Sequence, residues 1–193
     1  MPPRILVIYG TSYGQTAKIA RRIAEILQFR GLETELCDAA TSVPHLAPEH
    51  YSAIMVGSSI IARGHQASIK QFVADNIAIL NRQPSAFFQV SASAGSGSVE
   101  GRNAAQRILD EFVAKNHWSP ILSASLAGAI NYSQYNFILR WYMKRAAAQN
   151  AGSTDTSRDH ELTDWAQVDR FALTFAAAIS PSRVVIPEPA LGA

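Results

Sequence analysis

The sequence predicts an α/β fold: a doubly wound, five-stranded parallel sheet with helices on both faces and a long insertion before the last helix. Three observations predict it. Short apolar runs alternate with longer amphipathic segments along most of the chain, as buried parallel strands alternate with crossover helices. The runs are rich in β-branched residues and several end in Gly or Ser, whereas the longer segments repeat their apolar residues at helical spacing. The chain has 193 residues, 48% of them hydrophobic, which is enough for one well-buried domain and too short to expect two. The domain is expected over 1–180, with the insertion at 130–162 and a loose C-terminal tail at 181–193.

The first strand is the run Ile5-Leu6-Val7-Ile8-Tyr9, which breaks into Gly10-Thr11-Ser12-Tyr13-Gly14-Gln15-Thr16. A helix over 14–30 follows, because Ile19, Ile23, Ile26 and Leu27 fall on one face with Lys18, Arg21, Arg22 and Glu25 between them. The remaining strands are expected at Glu33–Cys37, Ala53–Gly57, Ser85–Val90 and Ile121–Ala127. Helical patterns occupy 67–81, 101–117 and 164–179. The last opens at Thr163 or Asp164 as N-cap before Trp165, Val168, Phe171, Ala172 and Phe175. The tail carries Pro181, Pro187, Pro189 and Gly192.

Composition removes several classes of function. The net charge is +2 with no run of Lys or Arg, so a nucleic-acid footprint is absent. A single cysteine, Cys37, precludes an internal disulfide and a multi-thiolate metal site; at the end of a strand it reads as a buried thiol without chemistry. His45, His50, His117 and His160 have no metal-ligand spacing, so no metal is expected, and no G-x-S-x-G elbow occurs. There is no run of eighteen apolar residues and no signal-peptide pattern, which gives a cytoplasmic expectation.

The segment Thr11 to Thr16 carries the most chemistry. Hydroxyls and glycines at a helix start favour a phosphate monoester, because the first N–H groups of a helix have no internal acceptor and carry partial positive charge. The alternative is that Thr11 or Ser12 merely caps the helix. The loop lacks the Gly-Lys-Ser/Thr ending of a P-loop and the G-x-G-x-x-G of a dinucleotide fold. In an open parallel sheet the ligand lies beyond the carboxyl ends of the strands. Two further loops reach that edge, one with Ser58, Ser59, Ile60, Ile61, Arg63 and His65, the other with Ser91, Ala92, Ser93 and Gly95. Small side chains there let backbone groups approach a flat heterocycle, although the second loop also reads as a mobile connection.

Thr11-Ser12-Tyr13-Gly14-Gln15-Thr16 resembles the S/T-x-T-G-x-T loop by which flavodoxins hold the phosphate of FMN. With Val56-Gly57-Ser58-Ser59-Ile60, Gly64-His65, Pro84-Ser85-Ala86-Phe87-Phe88, Ala127-Gly128-Ala129, Thr154-Asp155-Thr156 and Thr163-Asp164-Trp165, the chain over 4–179 resembles the flavodoxin-type, menaquinone-linked protoporphyrinogen IX dehydrogenase family. The resemblance implies a flavodoxin-like fold and FMN as cofactor. It further implies oxidation of a porphyrinogen to a porphyrin in heme biosynthesis, with a quinone as acceptor. Tyr13, Gly14 and Gln15 join the hydroxyls of the loop as cofactor contacts, and Ser58 to Ile61 with Ser91 to Gly95 face the ring. In many flavodoxins an aromatic from each ring loop stacks on the flavin; here Ile60 and Ile61 stand in the first and no aromatic in the second. Carrier flavodoxins are typically acidic, a pattern from which this chain departs.

His65 is a candidate proton relay near neutral pH and Arg63 a cation for reduced flavin or a propionate, each against the alternative of a structural or solvent-facing side chain. The insertion packs Tyr135, Phe137 and Trp141 with other apolar residues beside Arg140, Lys144 and Arg145. It reads as core cover, as a helix on anionic lipid at the cytoplasmic face of the inner membrane, or as a lid meeting substrate. The functions in competition are an FMN oxidoreductase, an electron-transfer carrier and a non-catalytic flavin-binding protein; a homo-oligomer fits any of them.

Overall fold

The described residues of the computed structural model are 4–44, 46, 50–130 and 160–180. Strands β1 (Arg4–Gly10), β2 (Glu33–Asp38), β3 (Ala53–Ile61), β5 (Ser85–Ser91) and β6 (Leu122–Ala127) form one parallel sheet in the order β2-β1-β3-β5-β6. A two-residue strand β4 (Gly64–His65) pairs antiparallel with the end of β3, so the main sheet has a sixth member that sequence patterning did not predict. Helices α1 (Gln15–Phe29), α2 (Ala67–Arg82), α3 (Val99–Lys115) and α4 (Trp165–Ile179) complete the crossovers. A second, two-stranded ladder, β7 (Ala129–Ile130) with β8 (His160–Glu161), forms the root of the predicted insertion. The insertion residues singled out above, Tyr135 to Arg145, lie outside the described residues.

Alternation along β5 divides the core into two layers. Phe88 points to one face, where Ile5, Val7 and Met55 pack on Ile19, Ile23 and Leu27 of α1 and on Val168, Phe171 and Phe175 of α4. Phe87 points to the other, among Leu6, Ile8, Ile54 and Val56, with Ile69 and Phe72 of α2, Leu109 and Phe112 of α3, and Trp118. Each buried aromatic or branched side chain contributes roughly 1.5–3 kcal/mol, and both faces are lined with them. The helices therefore hold the strand ends in fixed relation.

The sequence pattern ends the third strand at Gly57, whereas β3 continues through it to Ile61. The reason is packing: a Cβ on Gly57 would lie 2.2 Å from Cζ of Phe88. The glycine makes room for a fully buried ring and does not mark a turn. The strand order reverses between β1 and β3, whose carboxyl ends lie side by side there, with Gly10 opposite Ser58.

Candidate functional site

The loop after β1 is arranged to donate hydrogen bonds. Gly14 adopts φ 84°, a left-handed conformation that a side chain would strain, and stands at the N-cap of α1. Its N–H donates to Thr11 Oγ1 at 3.0 Å. Neither Thr11 nor Ser12 caps α1, which begins without any side-chain cap. The first-turn N–H groups therefore face outward with the positive end of the helix dipole. Thr16 is only 1% exposed, and its Oγ1 is a buried oxygen without a hydrogen-bond partner among the described residues. A buried hydroxyl left so costs about 1–3 kcal/mol, which an incoming anion relieves.

Gln66, at the N-cap of α2, braces this loop against β3. Its Nε2 donates to Ser12 Oγ at 2.6 Å and to Ser59 Oγ at 2.8 Å, while its backbone N–H donates to Ser58 Oγ at 3.2 Å. Gly10 permits the close approach, since a Cβ there would meet Ile69 Cγ1 at 2.8 Å and Gln66 Cβ at 2.9 Å. Thr11 and Ser12 thus each have a lone pair occupied by a donor, which leaves the hydroxyl proton free for an anion. The set offers hydroxyls and backbone N–H groups without a Lys or Arg in the loop, the donor set of a phosphate monoester site.

The other expected contacts divide into two kinds. Ser58 is fully buried and uses its hydroxyl between Gln66 N–H and the Ser59 carbonyl, so it supports the edge from beneath, whereas Ser59, Ile60 and Ile61 are half-exposed along it. Ser91 is also buried and accepts from Ala94 N–H, which shapes a short 3₁₀ turn at Ser93–Gly95 with Ala92 before it. Gly95 lies under the chain at Leu162, where an added Cβ would come within 2.9 Å of Leu162 Cβ. Tyr13 is half-buried in the first loop.

Gln15 turns its side chain toward the root of the insertion. Its Nε2 donates to Thr163 Oγ1 at 2.8 Å and to Glu161 Oε1 at 3.3 Å, and Trp165 Nε1 donates to the same Glu161 oxygen at 3.0 Å. Leu162 N–H donates to Gly128 O at 2.9 Å, which ties the segment to the end of β6. The root of the insertion therefore lies beside the first turn of α1 and the end of β6. Gln66, Glu161 and Thr163 carry no local motif as site residues; their partners are 54, 146 and 148 residues away in sequence, visible only after folding.

His65 and Arg63 part company. The His65 ring packs 4.2 Å from the Phe112 ring centroid and 5.5 Å from that of Phe87, in the apolar layer beneath α3. Burial pulls its pKa down to about 4, offset in part by the Ile108 backbone and reinforced by Lys70. Both ring nitrogens are buried, without a hydrogen-bond partner among the described residues, and this environment favours the neutral ring. Arg63 is exposed at the tip of the β3–β4 hairpin, whose two turn residues, Ala62 and Arg63, have φ 47° and 65°. Left-handed backbone costs a non-glycine residue roughly 1–2 kcal/mol, and the half-buried His65, packed on Phe87 and Phe112, anchors the strand that follows the turn.

Elsewhere, the Cys37 thiol donates to Ser42 O at 2.7 Å and is pushed up in pKa by burial, which suits a structural thiol. Among the described residues no group of three His, Cys, Asp or Glu could hold a metal ion, and no helix is long and apolar enough to cross a membrane.

Comparison with known proteins joins these features to a family. A flavodoxin domain model matches residues 6–157. Protoporphyrinogen IX dehydrogenase (quinone) of Escherichia coli K12 is 29% identical over 175 residues, covering 90% of this chain and 94% of that protein. The Leishmania major protein of the same name is 32% identical over 180 residues, covering 91% and 75%. In fold, the chain is similar to oxidised Flavodoxin 1 from Bacillus cereus, with TM-score 0.57 and 16% identity over 92% of this chain and 99% of that one. A flavodoxin from the domain Archaea superposes with TM-score 0.53 at 14% identity, over 91% and 98%.

Proposed function

The chain belongs to the flavodoxin domain family, and from that premise we propose that it is an FMN-dependent oxidoreductase that oxidises protoporphyrinogen IX to protoporphyrin IX with a quinone as electron acceptor. The observation that carries the cofactor is the turn of hydroxyls and backbone N–H groups, above all the buried hydroxyl of Thr16, which has no partner among the described residues. The substrate and acceptor rest on the relatives matched over nine tenths of the chain.

In this proposal Thr11, Ser12 and Thr16 hold the phosphate with the first N–H groups of α1. Ser59 to Ile61 and Ala92 to Gly95 border the ring through aliphatic and backbone surface, since the described edge has Ile60 and Ile61 where many flavodoxins have an aromatic. When bound, FMN supplies the two-electron acceptor chemistry that no side chain of the protein has. Arg63, displayed on its strained turn, faces a propionate or the charge of reduced flavin; His65 holds that turn from below. A quinone is lipid-soluble, so the proposal includes peripheral contact with an anionic membrane from the cytoplasmic side through the basic and aromatic stretch at 135–145.

The test is anaerobic steady-state oxidation of protoporphyrinogen IX with a menaquinone analogue. Quinone-dependent formation of porphyrin is expected. No turnover, together with efficient reduction of the bound flavin by a flavodoxin reductase, would assign the protein to the electron carriers.

A further inference from the structure

Resting on that FMN proposal, we infer that Gln66 is a positioning residue that sets the hydroxyl protons of the phosphate turn and couples it to the edge that borders the ring. One amide nitrogen carries two protons, and here they go to Ser12 Oγ and Ser59 Oγ, at 2.6 and 2.8 Å, across two different loops. A serine hydroxyl that accepts on one side presents its own proton on another. Ser12 is exposed and bonded to Gln66, so its proton is directed before an anion arrives. Without Gln66 the hydroxyl rotates freely and must be ordered at the moment of binding, which lowers affinity for the anion.

The backbone holds Gln66 in place independently of any ligand. Its N–H is fixed on the buried Ser58 hydroxyl, its Cβ packs on the Cα side of Gly10, and the neighbouring His65 is wedged under α3. A glutamine immediately after Gly64-His65 therefore serves the phosphate turn 54 residues earlier in the chain. It need not touch the cofactor to do so.

The experiment compares FMN with riboflavin, which lacks the phosphate, by flavin-fluorescence titration of the apoprotein of wild type, Gln66→Ala, Ser12→Ala and the double variant. Gln66→Ala is expected to lower FMN affinity about tenfold, and riboflavin affinity less than about threefold. In the Ser12→Ala background the same substitution should change the FMN-to-riboflavin ratio less than about twofold, because the hydroxyl through which Gln66 acts is gone. Equal losses for both flavins, no loss, or an undiminished effect without Ser12 would overturn the inference. Wild type that binds both flavins equally would instead overturn the phosphate turn itself, and with it this inference. Should Gln66→Ala not fold, Gln66→Met keeps the chain length without the amide and carries the same ratio test.

Discussion

Acidification should loosen the β3–β4 hairpin through His65, with a magnitude that follows from its burial. The native ring is neutral, because its position against Phe87 and Phe112 pulls the pKa from 6.5 to about 4. The unfolded chain takes up a proton near 6.5, so between that value and 4 it binds more protons than the native state and stability falls as pH falls. The contribution is complete above pH 6.5, and its loss reaches about 3.5 kcal/mol below pH 4, at about 1.4 kcal/mol per pKa unit. Between about pH 7.5 and 5 the expected loss is about 2 kcal/mol. The assay is urea unfolding of the apoprotein, followed by circular dichroism at the two pH values, for wild type and His65→Leu. Carboxylates such as Asp169, held low in pKa by Arg22, titrate alike in both proteins and cancel in the difference. The wild-type advantage over His65→Leu should shrink by about 2 kcal/mol on acidification. An advantage independent of pH would refute the claim that a buried neutral imidazole holds this hairpin.

Three further outcomes follow from the same edge. Thr16→Val should raise the melting temperature of the apoprotein, since it removes a buried partnerless hydroxyl worth about 1 kcal/mol, yet weaken FMN about tenfold or more in titration. A loss or gain in both would place that hydroxyl outside the phosphate site. Gln15→Ala should speed amide exchange at Leu162 about fivefold, because Thr163 and Glu161 lose their shared donor; unchanged exchange would show that Gly128 alone holds the root of the insertion. Arg63→Gly should stabilise the protein by about 1 kcal/mol in urea unfolding by relieving left-handed strain, while raising KM for protoporphyrinogen without altering FMN affinity. An unchanged KM would remove Arg63 from substrate recognition.

The sheet and its helices were legible because their signals are local. Apolar runs marked β1, β5 and β6 to within a residue or two, and the spacing of Ile19, Ile23 and Leu27 marked the buried face of α1. The turn from Thr11 to Thr16 was legible as a loop opening a helix for the same reason, its residues standing side by side in sequence. What escaped depended on distant partners or on conformations that their residues do not advertise. Gly57 resembled the end of a strand, but Phe88 on the neighbouring strand is what requires it. The hairpin at Ala62 and Arg63 lacks the Asn and Gly that such turns favour, so β4 gave no turn signal. The packing of His65 on the ring of Phe112, 47 positions later, is invisible in sequence, where His65 stands only in a loop after a strand. The braces of Gln66 and Gln15 cross the fold in the same way, and an amide has no periodicity to betray it.

The most direct measurement of the central claim is the visible flavin band of the purified protein under anaerobic addition of protoporphyrinogen IX, followed by a menaquinone analogue. The account predicts that the band bleaches on the first addition, as each FMN takes up two electrons, and returns on the second, when porphyrin fluorescence appears as three equivalents of quinone accept the six electrons that the porphyrinogen loses. A flavin band that protoporphyrinogen leaves unchanged would contradict it.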